Sequence, residues 1–349
     1  MSLLRSTSRA AATLAALALG APLALAQPAN QDAILDGLYK AVSDAGEKEL
    51  VIYNPNTNAN QPIFDAFAKR FPGIAITGVD LYGPKLTTRL EAEKASGNIA
   101  ADVIYTTANE MPSFAESGFL VSYLPELAEG LDDKYIGTDN MWQDWTLTVG
   151  GMFYNKAFLK PEDAPKGYVE LTDKKYDKAL SISTLQSVSG TGQALTTLTL
   201  KGTLDRAFFE ALAANHPVVS QANAQAIQAV ATGQATIGLD VPYHFFKAAI
   251  AKGAPFTFIW PEEGVMSIPL NEALVNGAPH PAAAKLFVNW LFSTEAQELL
   301  AEIGMQSPMP GAPTVKDAPE GLTFNVIDWR TLVAEYPAQL EMYKEVFAN

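Results

Sequence analysis

Short apolar runs that end in turn residues alternate with stretches of helical periodicity, and this order confines the chain to a sheet with helices packed on it. Residues 49–53 (ELVIY) form such a run and end in the turn-rich NPNTN. Ile63, Phe64, Phe67 and Phe71 then recur at helical spacing until Pro72-Gly73 stops them. A second run covers 74–81. Pro84 suits the first turn of a helix carrying Leu86 and Leu90, and a third run, 101–105 (ADVIY), ends in Thr106-Thr107. With a leading helix over 33–42, the β-α-β-α-β order predicts a mostly parallel sheet flanked by helices. The pattern returns in the second half. Strands are expected at 180–183, 235–239, 256–260 and 265–269. Helices are expected at 191–200, 204–214, 223–231 and 243–251, from Pro281, and at 294–303 and 328–347. A length of 349 residues is ample for two such units. In α/β sheets of this kind a ligand sits outside the carboxyl ends of the strands, near helix N-termini.

The first 26 residues differ from the rest. Arg5 and Arg9 precede a charge-free run from Ala10 to Ala26, interrupted by Gly20 and Pro22 and closed by Ala24-Leu25-Ala26. This is the pattern of a secretory signal peptide cut after Ala26. Cysteine is absent, so there is no acylation site for a lipid anchor, no disulfide and no thiolate ligand. The expected product is free in the periplasm, without a membrane anchor. The chain holds 24 basic and 38 acidic residues, a net charge of −14. Removing the two leader arginines takes the net charge to −16. Only four arginines then remain, so no dense basic face for nucleic acid is expected. No Gly-x-Ser-x-Gly, P-loop or His-Glu-x-x-His occurs, and three dispersed histidines give no zinc spacing. No enzyme activity, cofactor or resident metal is expected.

The strand-end loops supply the candidate ligand contacts. Asn54, Asn56 and Thr57 follow the first strand; their amides and hydroxyl suit a polar ligand, and Asn-Pro-Asn is equally a turn signal. Tyr82 follows the second strand, with Lys85 expected to be solvated. Thr106 and Thr107 follow the third. In the second half, Ser187, Ser189, Gly190 and Thr191 stand between a strand and a helix, where free N–H groups make an oxyanion cradle. Asp240 and Tyr243 follow the strand at 235–239. Asp240 suits a ligand ammonium or a helix cap, and Tyr243 offers a stacking face and a hydroxyl.

Taken together, ELVIYNPNTN, FAKRFPGI, LTTRLEAEKASGNIAADVIYTT, FYNKAFL, AVATGQATIGLDVPY, IWPEEG and GAPHPAAAKLFVNWLFSTEAQELL, in this order, resemble the periplasmic solute-binding proteins of ABC importers. The branch resembled is the one containing ferric-ion, phosphonate, thiamine and polyamine binders. The resemblance implies a two-lobed type II fold with hinge strands and a ligand clamped between the lobes. It divides the chain into 30–147 plus 256–310 and 148–255 plus 311–349. It also implies a monomer that docks transiently on an inner-membrane permease, makes His280 structural, and places Glu262 and Glu263 near the cleft. Ferric-binding relatives use adjacent tyrosines, commonly with a histidine and a glutamate. Here Tyr243-His244 stands at the pair, and the first loop has asparagines and no histidine. A small organic oxyanion such as a phosphonate or carboxylate is therefore the expected solute, with ferric ion as the alternative and a periplasmic enzyme or sensor partner as a further one.

Overall fold

The computed structural model describes residues 30–348 apart from residue 222, so the expected leader and its cleavage site lie outside the described residues. Its strands are β1 (Glu49–Asn54), β2 (Ala75–Asp80), β3 (Val103–Thr107), β4 (Gln143–Leu147), β5 (Gly150–Asn155), β6 (Leu180–Ser183), β7 (Val218–Ser220), β8 (Ile237–Pro242), β9 (Phe256–Ile259), β10 (Val265–Met266), β11 (Pro269–Leu274) and β12 (Phe324–Asn325). They form two sheets. The first has the order β2-β1-β3-β11-β4, in which β1 pairs in parallel with both β2 and β3. The second runs β12-β10-β5-β8-β6-β7, with β9 also on β5. Its β8, β6 and β7 are mutually parallel. The fold is a two-lobed α/β fold of the type II kind, and no helix among the described residues is long and apolar enough to cross a membrane.

Each sheet buries apolar side chains on both faces, as parallel strands require. On one face of the first sheet, Phe67, Phe71, Phe287 and Trp290 interlock at 4.9–5.5 Å between several ring pairs. Leu86, Leu90, Phe114 and Trp142 fill the other face. The second sheet packs Leu195, Leu198, Phe209 and Tyr343 on one side, and Phe153, Phe246 and Phe256 on the other.

The chain crosses between the sheets at 147–150 and again at 266–269. The two crossings are tied to each other: the Thr148 N–H donates to Ile268 O at 2.9 Å, and the Ile268 N–H donates to Thr148 Oγ1 at 3.0 Å. Gln306 lies along the first crossing, exchanging backbone hydrogen bonds with Leu147 at 2.7 and 3.1 Å. The return to the first sheet therefore falls at Pro269 rather than at residue 256. Strands β9 and β10 stay in the second sheet because β5 has a free edge that both extend, Met152–Asn155 pairing with β9 and Gly150 with β10.

Thr148→Val keeps the shape of the side chain and leaves the buried Ile268 N–H without an acceptor. It should destabilise the protein by about 1–3 kcal/mol in urea unfolding, with Thr148→Ser close to wild type.

Candidate functional site

Parallel pairing brings the carboxyl ends of β1, β2 and β3 together, so the loops after Asn54, Asp80 and Thr107 share one rim. The Asn54 side chain is fully buried and spent on the loop. Its Oδ1 accepts from the Asn56 N–H at 3.0 Å and from Asn60 Nδ2 at 3.1 Å, while its Nδ2 donates to Thr57 Oγ1 at 3.2 Å. Asn56 caps the helix Thr57–Arg70 by accepting from the Ala59 N–H, and the Thr57 N–H donates to Asp80 at 2.7 Å. Of the two readings of these residues, turn construction accounts for the side-chain bonds of Asn54 and Asn56.

Tyr82, Thr106 and Thr107 are gathered on the same rim. Burial pushes the Tyr82 phenol up to about 12; the Thr107 hydroxyl pulls the other way, and Glu110 and Tyr336 add to the rise. Thr107 Oγ1 is buried and faces the Tyr82 phenol. The Thr106 hydroxyl donates to Glu110, whose carboxyl is raised by burial and restrained by Thr106 and the Gly83 N–H. Glu110 is a rim residue that strand-end reasoning missed, because it lies a turn beyond the threonines. Lys85 is exposed.

On the second lobe Ser189 caps the helix Gly190–Leu200. Its Oγ accepts from the Gly192 N–H at 3.0 Å and donates to Thr184 O at 2.9 Å. The N–H groups of Gly190 and Thr191 have no acceptor among the described residues, the arrangement an anion cradle requires. Thr191 Oγ1 is buried and faces the Asp240 carboxyl. Ser187 is exposed at the loop tip beside Val188. Tyr336, absent from the sequence expectations, covers this loop: the Ser189 N–H donates to its Oη at 3.2 Å. A Cβ on Gly192 would stand 2.5 Å from that oxygen, so only glycine lets the phenol sit there.

Asp240 is the extra residue of a bulge. β5 and β8 pair Gly151 with Val241 and Met152 with Leu239, leaving Asp240 unpaired at φ 53°. A left-handed aspartate inside a strand is a strained position of the kind found at functional sites. Its buried carboxyl packs against Gly150, where a Cβ would collide with it. Burial raises the group to about 6, with a smaller opposite pull from Thr191. Tyr243 belongs to a different cluster. Its ring packs with Phe246, Phe258 and Trp260, and its hydroxyl reaches Asp317 at 3.5 Å.

Among the described residues neither Glu110 nor Asp240 is in an ion pair with a lysine or arginine. The rims thus offer hydroxyls, phenols, free N–H groups and two carboxyls, with neutral donors in place of a guanidinium clamp. Among the described residues no group of three or more His, Asp or Glu side chains is arranged to hold a metal. His244 is buried and held well below the usual histidine range, at about 4, by desolvation. His280 is riveted to buried Asp102 through both its N–H (2.7 Å) and its ring (3.0 Å). Glu263 accepts the N–H groups of Tyr168 and Val169, both at 3.1 Å, a structural role.

Residues 98–334 match the family described as bacterial extracellular solute-binding protein. A Salmonella typhi protein, named as a candidate 2-aminoethylphosphonate-binding periplasmic protein, is 27% identical over 262 residues, covering 73% of this chain and 75% of that one. Iron uptake protein A1 of Synechocystis is 24% identical over 288 residues, 77% of this chain and 78% of that one. Two solved structures share the fold at a TM-score of 0.69. Iron-bound HitA of Pseudomonas aeruginosa is 20% identical, with 85% and 99% of the two chains covered. AfuA of Actinobacillus pleuropneumoniae with fructose-6-phosphate is 23% identical, with 86% and 99% covered.

The raised Asp240 carboxyl has a consequence for stability. Its folded value lies above its unfolded value of about 4, so the stabilisation is full below about pH 4 and is lost as pH rises through about 6. Relative to Asp240→Asn, which tolerates the left-handed backbone, the wild type should lose about 3 kcal/mol between pH 4 and 7. Urea midpoints of both proteins at several pH values measure it.

Proposed function

The chain belongs to the bacterial extracellular solute-binding protein family, and from that premise we propose that it captures a small organic oxyanion, a phosphonate or carboxylate, between its lobes and delivers it to an ABC importer. The observation that carries this reading is the second-lobe cradle: two free N–H groups at Gly190 and Thr191 on the positive end of a helix. Thr191, beside Asp240, and Thr107, beside Tyr82, bring buried hydroxyls, and Tyr82 brings a phenol from the opposite rim. Asp240 and Glu110 accept from the solute, which suits an oxyanion that also carries an ammonium group. The name of the Salmonella relative agrees with such an amino-phosphonate. Closure follows when the solute touches both lobes, since only differential affinity for the closed state shifts the equilibrium. The protein acts in the periplasm as a monomer after cleavage behind Ala26, docks transiently on an inner-membrane permease and turns nothing over chemically.

A ferric ion is the second reading. Two phenols stand on the rims, Tyr82 beside Thr107 and Tyr336 on the Ser189 loop, and the Synechocystis relative is named for iron uptake. Titration with ferric citrate separates the two readings. The oxyanion reading expects no saturable tyrosinate-to-iron band in the visible spectrum, and a band at one iron per chain overturns it.

Native mass spectrometry of protein taken from its own periplasm identifies the solute, and calorimetry with 2-aminoethylphosphonate tests the class. Thr107→Val, Thr191→Val and Tyr82→Phe should each weaken binding by about tenfold to a hundredfold, the value of one hydrogen bond to a charged group. Tyr243→Phe, whose hydroxyl faces Asp317, should leave affinity unchanged. Wild-type affinity in all three cleft variants would place the solute elsewhere.

A further inference from the structure

The C-terminal helix, Trp329–Val346, is anchored in both lobes. At its start the Trp329 ring is buried against Trp142 of the first lobe, 5.0 Å between ring centres, and its indole N–H donates to Ile136 O at 3.1 Å. The Arg330 guanidinium covers the outer face of that ring at 4.6 Å, and Val333 packs into the same first-lobe cluster. The following turns belong to the second lobe. Leu332, Tyr336 and Tyr343 are buried in its core, and Tyr343 Oη lies 3.0 Å from Thr196 Oγ1 on the cradle helix. Between the two anchors stands Tyr336. Its phenol accepts the Ser189 N–H and occupies the space over Gly192. A helix is stiff along its axis, so a shift of its first-lobe end is carried to Tyr336, two turns on.

We propose that this helix couples the arrangement of the lobes to the ligand cradle, with Tyr336 as the positioning residue that sets the loop ending in Ser189. The proposal rests on the reading that the Ser189–Thr191 segment faces the solute. It is tested without any solute, so its failure and the failure of that reading are distinguishable. When the lobes separate, Trp329 must leave its first-lobe seat or the helix must pull on the cradle. Where the seat holds, the pull draws the Tyr336 phenol away from the Ser189 N–H. The cradle would thus be set for binding when the lobes approach, a coupling through one rigid two-ended element.

Hydrogen–deuterium exchange on the ligand-free protein decides it. Tyr336→Phe removes the acceptor, and exchange over 184–195 should rise severalfold. Trp329→Phe, which drops the indole donor and shortens the ring against Trp142, and Val333→Ala, which loosens the first-lobe contact, should both speed the same segment although neither side chain belongs to it. Both are mild enough to keep the fold, which melting curves verify. Lys344→Ala, on the exposed far end of the helix, should leave it unchanged. If Trp329→Phe and Val333→Ala speed exchange only at the start of the C-terminal helix and leave 184–195 at the wild-type rate, the coupling is overturned.

Discussion

Thr148 ties the two lobe crossings to one another, and the rest of the architecture follows from that tie. Its N–H and hydroxyl engage the backbone of Ile268, so the segments leaving β4 and entering β11 move as one ribbon. Gln306 adds a third backbone to the first of them through its exchange with Leu147. A ribbon held this way bends at its ends more readily than it shears, because shear would break buried hydrogen bonds that no water replaces. The ribbon also fixes which loops face each other. Gly150 opens β5 directly after the crossing and packs against Asp240, while Ile268 Cδ1 lies under Gly190. The cradle side of the second lobe is thus built on the hinge itself.

The cleft is made from groups that the fold has left short of partners. The N–H groups of Gly190 and Thr191 are unspent, whereas Asn54, Asn56 and Ser189 are consumed in holding their own loops. Burying unsatisfied donors is costly, and a solute that satisfies them recovers that cost. The carboxyls follow the same rule. Desolvation raises Asp240 and Glu110, and it raises the deeper Asp144 and Glu272 of the first sheet as well. The last two sit on β4 and β11 away from the strand-end loops, with the Asn271 amide donating to Asp144. A raised carboxyl is therefore no marker of the site by itself here. Position on a rim, together with the left-handed backbone of Asp240, distinguishes the functional candidates.

The secondary structure was legible where local chemistry ruled. The helices Asn223–Ala231, Tyr243–Ala251 and Thr294–Ile303 stand where their periodicity and starting residues put them. Strands β4, β5 and β11 were not read as such. β11 (PLNEAL) begins with proline and carries Asn271 and Glu272, yet it is buried throughout. Asp144 on the neighbouring strand takes the Asn271 amide, a cross-strand pairing that no local pattern announces.

The same division holds for the site. The sequence by itself determined an α/β chain with candidate loops at strand ends, and it named Tyr82, Thr107, Gly190, Thr191 and Asp240 alongside Asn54, Asn56 and Tyr243, because strand ends and helix starts are local facts. Only the tertiary structure decided that Asn54 and Asn56 serve their own turn and that Tyr243 joins Phe246, Phe258 and Trp260. It alone brought Glu110 onto the rim and laid Tyr336 over a loop 147 residues earlier in the chain. The sequence reading of 328–347 stops at a helix. That a phenol on this helix ends at the cradle follows from the Trp329 anchor and from the open space over Gly192, both set by the packing of the lobes.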